Sequence, residues 1–585
     1  MRNSLQSLCT AIAALMLWPL AAAAVDPPPR IVALARCGDL LDPVRHTFCG
    51  RLAQPPGTTP LRATLDGGTL AVKPGLDGRF ELALSTGEHN SGALRIWQGE
   101  HASNPVWLSL QDSAIVAAAT DEVVKNLDGI TTYVDLLSVV IEEPYDALPE
   151  ARRLGEKYGG RVIGAIPPLR LYQLRLDDKN LLLRDAVAFR LGGEESVDAV
   201  VIEESSAEDA EPAPAKTRRH ADAELAANRF ADAVDYYRRR LPGPDAQRIE
   251  PAAVRIGMIE ARVDFDAPDF SRFLAPAEVT GLRLFARDDD APDGHGSVVA
   301  GLLAASWNDG GNSGLLSGFG PGHGQFDVIV DRGSDAGITE NVAASVRLVQ
   351  DGVRVLSWSW GLHRLGALRT GGGDVDSSIR SGVAFEGYEE LLEEFFLWLR
   401  REHPDVIVVN SAGNGSSYSG NDDYRLPSSF VTEQLLVVGA HQTTGKPIAV
   451  ADPDFVERRA SSNIDARIDI SAAACVNASV AVAGMEGAEH CGTSYATALV
   501  SGLVGAILSI NPTLQPAQVR ELLRRSSMPI GGTLDFEPAE AEGLTAPILP
   551  SERAEQMQHP DVGRSARLDM RKALELAVQS RSTLE

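Results

Sequence analysis

The sequence predicts an α/β protein whose main unit is a parallel sheet with helices on both faces, preceded by a small β-rich module and a compact α+β sandwich. Three observations carry this. From Val254 onward strand-like apolar runs alternate with helix-like ones, the pattern of a parallel sheet buried on both sides. Between Thr131 and Glu204 the order is βαββαβ, and from Val25 to about Asp112 short apolar runs are cut by turn residues. With 585 residues the chain is long enough for several cores, and 44% hydrophobic with 23% charged residues is a globular composition.

The elements are justified in chain order. Residues 1–24 hold Arg2, an apolar stretch from Leu8 to Leu20 and the run Ala21-Ala22-Ala23-Ala24. This is a secretory signal with an A-x-A exit. As a membrane anchor it is too short, with Pro19 near its end. The expectation is an exported protein, periplasmic or secreted, with no membrane attachment after signal cleavage. Residues 25–112 carry turn signals at Pro55-Pro56-Gly57, Asp66-Gly67-Gly68 and Asp77-Gly78, and alternation of period two from Arg79 to Leu84. Residues 131–204 read as strand Thr132–Glu142, helix Tyr145–Tyr158, strands Arg161–Ile166 and Leu169–Leu176, helix Leu181–Leu191 and strand Val197–Ile202, a ferredoxin-like arrangement. The acidic, Pro/Ala-rich stretch 205–220 is a linker, followed by one helix from Ala221 to about Arg240.

The main unit, 250–580, begins with strand Val254–Ile259. It continues through helix Ser297–Ala305, strand Phe326–Val330, helix Glu340–Gln350 capped by Thr339, strand Val353–Trp358, helix Tyr388–Arg401 and strand Val406–Asn410. The glycine-rich Asp309–Gly324 reads as a loop, since no lysine follows in phosphate-binding position. Of five cysteines, Cys9 falls in the signal. An even set in an exported chain suggests local disulfides, Cys37 with Cys49 and Cys475 with Cys491. Three connectivities, and free thiols, are compatible with the count. A formal net charge of -26 argues against nucleic acid or an anionic membrane as partner.

Parallel α/β sheets place their sites at the carboxyl ends of the strands. Glu260 ends the first strand, His295 opens a helix in Asp293-Gly294-His295-Gly296-Ser297, and Ser494 opens another in Gly492-Thr493-Ser494-Tyr495-Ala496. A serine hydroxyl becomes a nucleophile when a base takes its proton, and that base needs an acceptor on its other nitrogen. Acid, histidine and serine in this chain order supply the three parts.

These segments resemble the subtilases, the subtilisin-like serine peptidases. His295-Gly296-Ser297-Val298-Val299-Ala300-Gly301 resembles the family's H-G-T-x-V-A-G, and Gly492-Thr493-Ser494-Tyr495-Ala496-Thr497-Ala498 its G-T-S-M-A-x-P. Glu260-Ala261-Arg262-Val263-Asp264 and Pro268-Asp269-Phe270 echo the acid motif. Ser357-Trp358-Ser359-Trp360-Gly361 resembles the substrate-binding strand, and Ser411-Ala412-Gly413-Asn414-Gly415 the A-A-G-N segment. Further matches are Ala460-Ser461-Ser462-Asn463, Ile468-Asp469-Ile470 and Arg567 to Ala573.

The resemblance implies a serine endopeptidase of subtilisin-like fold acting on proteins or peptides. Glu260, His295 and Ser494 would be catalytic, Asn414 would donate to the oxyanion, and Ser359, Trp360, Gly361, Ser411, Ala412 and Gly413 would line the substrate channel, with Trp360 narrowing the side-chain pocket. The 131–204 sandwich, with Tyr172-Gln173-Leu174, resembles the family's propeptide, which would make it an intramolecular inhibitor cut in the linker. No cofactor is required. A structural calcium ion is compatible with the resemblance at Asp288-Asp289-Asp290, which also read as a solvated acidic turn.

The sequence departs from the family in having Glu260 for aspartate, Arg262 for glycine and Ala498 for proline. Arg262 is a rival ion-pair partner for Glu260, and Asp264 an alternative acid. A degenerate subtilase that binds peptides without cutting them is therefore a second reading. A third is an esterase using Ser494, Asp535 and His559 in that order.

Overall fold

A computed structural model of the chain describes residues 28–55, 60–119, 122–125, 131–205, 221–240, 249–260, 262–264, 266–274, 281–287, 294–307, 314–320, 325–331, 337–363, 382–414, 425–459, 462–463, 468–477, 489–530 and 566–582. The signal stretch, the linker from residue 206 on, Asp288-Asp289-Asp290, Asp535, His559 and most of the glycine-rich loop lie outside the described residues.

Near the N-terminus the described strands form antiparallel sheets of four and five strands. Their alternating residues bury a common core of Ile31, Phe48, Phe80, Leu82, Leu94 and Ile96. Cys37 and Cys49 form a disulfide across two neighbouring strands. This module docks on the main unit by polar contacts. Trp107 Nε1 and Gln111 Nε2 each donate to Asp351 at 2.8 Å, and Asn104 Nδ2 donates to the Ala286 carbonyl at 3.0 Å.

The next unit has strands β1 (Leu136–Ile141), β2 (Gly160–Ile166), β3 (Leu171–Leu176) and β4 (Val197–Val201), with helices α1 (Ala147–Tyr158) and α2 (Leu181–Leu191). The antiparallel order is β2-β3-β1-β4. The expected long strand Thr132–Glu142 is split, because Thr131–Tyr133 pairs elsewhere, with Val123–Lys125 and Glu204–Ser205. The expected single helix 221–240 is likewise two, Ala221–Ala227 and Phe230–Arg240. Asn228 breaks it by bonding outward, donating to the Leu568 carbonyl at 2.8 Å and accepting from Ala473 N at 2.7 Å, while Arg229 takes a left-handed conformation.

The main sheet contains β5 (Val254–Met258), β6 (Leu282–Phe285), β7 (Phe326–Val330), β8 (Val355–Trp358), β9 (Ile407–Ser411), β10 (Leu435–Thr443), β11 (Val456–Arg458) and β12 (Ile470–Ala473). Its order is β6-β7-β5-β8-β9-β10, with β12 also on β10, all parallel; β11 is the antiparallel exception. Successive residues of these strands enter two different cores, as expected when both faces are covered. One face packs on α3 (Gly294–Ala304) and on the wholly buried helix 493–510. The other packs on α4 (Gly337–Gln350) and α5 (Gly382–Glu402), and this core is continuous with that of the β1–β4 unit.

Helix α4 begins at Gly337, so Thr339 lies inside its first turn and is not the cap. The cap comes from the preceding unit. The Glu203 carboxylate accepts from Ile338 N at 3.2 Å, from Thr339 N at 3.0 Å and from the Thr339 hydroxyl, and Tyr388 Oη on α5 donates to it at 3.0 Å. A carboxylate at a helix N-terminus satisfies donors that have no partner within the helix and opposes the positive end of its dipole.

Candidate active site

Three loops at the carboxyl ends of the sheet strands carry the predicted residues. Glu260 follows β5 by two residues and is buried, with 6% of its surface exposed. His295 stands in the first turn of α3, one quarter exposed. His295 Nδ1 lies 3.4 Å from Glu260 Oε2. The longer side chain thus reaches the imidazole, and its acceptor sits on the nitrogen that must be held if Nε2 is to act as base. Arg262, the rival partner, lies two residues on with φ +58°. The backbone takes the left-handed turn that the family motif assigns to glycine, at some steric cost for an arginine. Glu260 is the carboxylate beside the imidazole; the Asp264 carboxylate accepts from Asp266 N at 3.0 Å, its own N–H donates to Ser297 Oγ at 2.9 Å, and burial raises its pKa.

Ser494 is the second residue of α6 (Thr493–Ile510). Helices α6 and α3 touch closely because residue 502 is glycine: a β-carbon there would lie 2.6 Å from the Leu303 side chain. That approach brings His295 beside the residue after Ser494, with ring centroids of His295 and Tyr495 5.6 Å apart. Ala498 lies within the helix, fully buried, where proline would leave an interior turn without its N–H donor. Ser494 Oγ donates to the Ser359 carbonyl at 3.4 Å.

The Asn414 amide has an assigned orientation. Its Oδ1 accepts from Thr493 N at 2.9 Å, and an N–H can meet only the oxygen, so Nδ2 is the free donor end. A β-carbon on Gly492 would stand 3.4 Å from that nitrogen. Glycine therefore keeps the space beside the amide open. Gly413, with φ +97°, donates its N–H to Thr493 Oγ1 at 3.2 Å. Together these bonds tie the 411–414 segment to the start of α6.

The segments expected to line the substrate channel are held from behind by Asn410 and Arg425, which the sequence did not single out, and by Asn463. Asn410 Nδ2 donates to the carbonyls of Trp358 at 3.0 Å and Trp360 at 2.8 Å, and Asn463 Nδ2 donates to the Ala412 carbonyl at 2.8 Å. Trp360 stacks toward Trp358, with centroids 4.8 Å apart, at the edge of the α4/α5 core. Part of its bulk packs on that core. Arg425, fully buried, bonds to Asn410 Oδ1, Ser411 and Ser428 Oγ. Cys475 and Cys491 form a disulfide across the short ladder just ahead of Ser494. His490 on the same ladder is buried, and burial and the nearby His295 lower its pKa.

Among the described residues no cluster of three or more histidine, cysteine, aspartate or glutamate side chains is placed to hold a metal ion.

The fold and the site define a class: a parallel α/β protein with a carboxylate and an imidazole 3.4 Å apart at the carboxyl edge of its sheet and a serine opening the adjacent buried helix. A model described as the subtilase family matches residues 252–561, more than half the chain, and the chain belongs to that family. Family membership removes the esterase reading built on Asp535 and His559. A calcium-dependent protease from Nostoc sp. is 26% identical over 301 residues, covering 48% of this chain and 43% of that protein. The chain thus spans less than half the length of this curated relative. Subtilisin NAT from Bacillus subtilis subsp. natto is 24% identical over 318 residues, covering 53% of this chain and 70% of the relative. Fervidolysin from Fervidobacterium pennivorans, described as a keratinolytic enzyme related to subtilisin, superposes with a TM-score of 0.46 at 14% identity, covering 77% of this chain and 62% of its own.

Proposed function

We propose that the chain is an exported serine endopeptidase that hydrolyses peptide bonds of protein or peptide substrates through an acyl-enzyme intermediate. The observation that carries the proposal is the Glu260 carboxylate 3.4 Å from His295 Nδ1, on the strand end where the family has its triad acid. In this reading His295 Nε2 takes the proton of Ser494 Oγ as that oxygen attacks the peptide carbonyl. Glu260 holds the imidazole tautomer and stabilises the imidazolium. Asn414 Nδ2 and the Ser494 N–H receive the oxyanion, a contribution of about 10²- to 10³-fold. His295 then protonates the leaving amine, and a water activated by the same imidazole releases the acid. Groups of this chain and one water serve every step, so the proposal needs no cofactor.

Export rests on the signal-like N-terminus, with two disulfides suited to an oxidising compartment, periplasmic or outside the cell. The β1–β4 unit is assigned as propeptide and inhibitor, on the strength of its Glu203 clamp on α4 and α5 and the linker that follows. Labelling with a fluorophosphonate tests the catalytic reading. Label that is lost in Ser494→Ala and in His295→Ala supports the peptidase. A folded chain that takes no Ser494-dependent label would be the degenerate peptide-binding module.

A further inference from the structure

Two segments flank the nucleophile. Ser494 Oγ bonds the Ser359 carbonyl, and Thr493 bonds Gly413 and Asn414. With the acyl carbon at Ser494 Oγ and its oxygen toward Asn414, the side chain of the residue being cleaved after falls between 359–361 and 411–413. Between these two segments, against Gly361 and Ser411, lies a buried guanidinium. A β-carbon built on Gly361 would lie 2.2 Å from both Cζ and Nη2 of Arg425, so the cation fills the volume that any other residue at 361 would claim. Its planar fork is spread across the second segment. Nη1 donates to the Ser411 carbonyl and, at 3.1 Å and 2.7 Å, to Asn410 Oδ1 and Ser428 Oγ, while Nη2 donates to Ser411 Oγ at 3.2 Å. The strand pairing of Leu362–His363 with Arg425–Leu426 fixes this placement through the backbone.

We propose that Arg425 sets the specificity of the cleavage site, selecting substrates with aspartate or glutamate on the acyl side of the scissile bond. The inference rests on the peptidase reading and names its substrate class. Guanidinium is the side chain whose fork matches a carboxylate, and here it is buried between the two segments that flank Ser494. A carboxylate there displaces the neutral Ser411 hydroxyl from Nη2, whereas a lysine or arginine brings like charge against it. A plain structural strut at this position predicts something different: a shortened pocket that favours alanine or glycine.

The test is a set of internally quenched peptides identical except at that residue, offered to the wild-type chain: Glu, Asp, Gln, Ala, Phe and Lys. The expected result is kcat/KM for Glu or Asp about 10- to 100-fold above Gln, the range of a charge-assisted hydrogen bond, with Lys the poorest. Arg425→Gln is expected to abolish the Glu/Gln ratio and Arg425→Lys to keep part of it. Faster cleavage after Ala, Phe or Lys than after Glu overturns the proposal, and this comparison needs no variant to fold. Fluorophosphonate labelling in parallel separates the two failures, because a labelled enzyme without acidic preference sinks only the specificity. If no label forms, anisotropy of acetylated tetrapeptides ending in Glu or Gln on the Ser494→Ala chain still decides. Tighter binding of the Glu peptide supports the assignment, and equal binding refutes it.

Discussion

Replacing Glu260 by glutamine keeps shape and removes charge, which isolates what the carboxylate does for His295. The magnitude follows from the separation of 3.4 Å between Oε2 and Nδ1. At an effective dielectric of about 20, opposite unit charges at that distance attract by about 5 kcal/mol. This attraction appears only when the imidazole is protonated in the transition state, so its loss slows the chemical step by about 10³- to 10⁴-fold. Glu260→Asp withdraws the carboxylate by about 1.5 Å. The attraction then falls to about 3.4 kcal/mol, a slowing of about tenfold. The two variants therefore differ by two orders of magnitude or more. The second-order rate of fluorophosphonate attack on Ser494 measures both without a known substrate, and a fluorogenic peptide would add kcat and KM. A folded Glu260→Gln chain reacting at more than about a third of the wild-type rate would refute the assignment of Glu260 as the orienting acid. An aspartate variant faster than wild type would show instead that the backbone at 260 has not retreated to fit the longer side chain.

Asn414→Ala is expected to lower kcat about 10²- to 10³-fold with KM little changed, since its free Nδ2 meets charge that develops only in the transition state. Removing the Cys475–Cys491 bridge, which closes 16 residues ahead of Ser494, costs about 3 kcal/mol by loop entropy; a lowered thermal midpoint and slower Ser494 labelling would register it. His441 is fully buried with a pKa pushed down to about 3, chiefly by burial and further by Arg567. The unfolded chain therefore binds a proton that the folded chain refuses. Its contribution is complete above about pH 6.5 and falls as pH drops toward 3, by about 2 kcal/mol at pH 5. Urea unfolding at pH 8 and pH 5 should show that loss, and a His441→Gln chain that still shows it would exclude this source. Glu203→Ala should loosen the β1–β4 unit from α4, read as faster amide exchange at Ile338 and Thr339, whose N–H groups lose their acceptor.

Elements whose causes are local were readable from sequence. Helix Leu181–Leu191 starts and stops where its side chains say, with Asn180 Oδ1 accepting from Leu183 N at 3.1 Å and glycine following. Strand Phe326–Val330 is buried at every position, and Phe326 with the β-branched run Val328-Ile329-Val330 identifies it although Asp327 interrupts. Misreadings arose where a distant partner overrode a local pattern. The helical run 221–240 is broken by an asparagine bonded to residues 473 and 568. Thr339 has the chemistry of a cap, yet α4 is capped by Glu203, 136 residues away. The same limit applies to Arg425, whose neighbours Asn410, Ser411 and Gly361 are assembled only by the sheet.

Motif matching assigns the site by residue type, but the departures bear on geometry, and there the backbone decides. Arg262 takes a left-handed φ where the family motif has glycine, the residue that adopts it without penalty, so the chain leaves β5 at a steric cost of about 1–2 kcal/mol. That cost is met by surrounding packing, because Ser297 on α3 binds the Asp264 N–H and Val263 is buried in the main core. With the path fixed, the remaining variable is the reach of the acid. A carboxylate one methylene longer than aspartate stops 3.4 Å from the imidazole, within reach of its Nδ1. Arg262→Gly separates these effects: relief of the left-handed strain should raise stability by up to about 1 kcal/mol in urea unfolding. If Glu260 depends on its path alone, the Ser494 labelling rate stays unchanged. A change in that rate would instead implicate the arginine side chain in holding the acid.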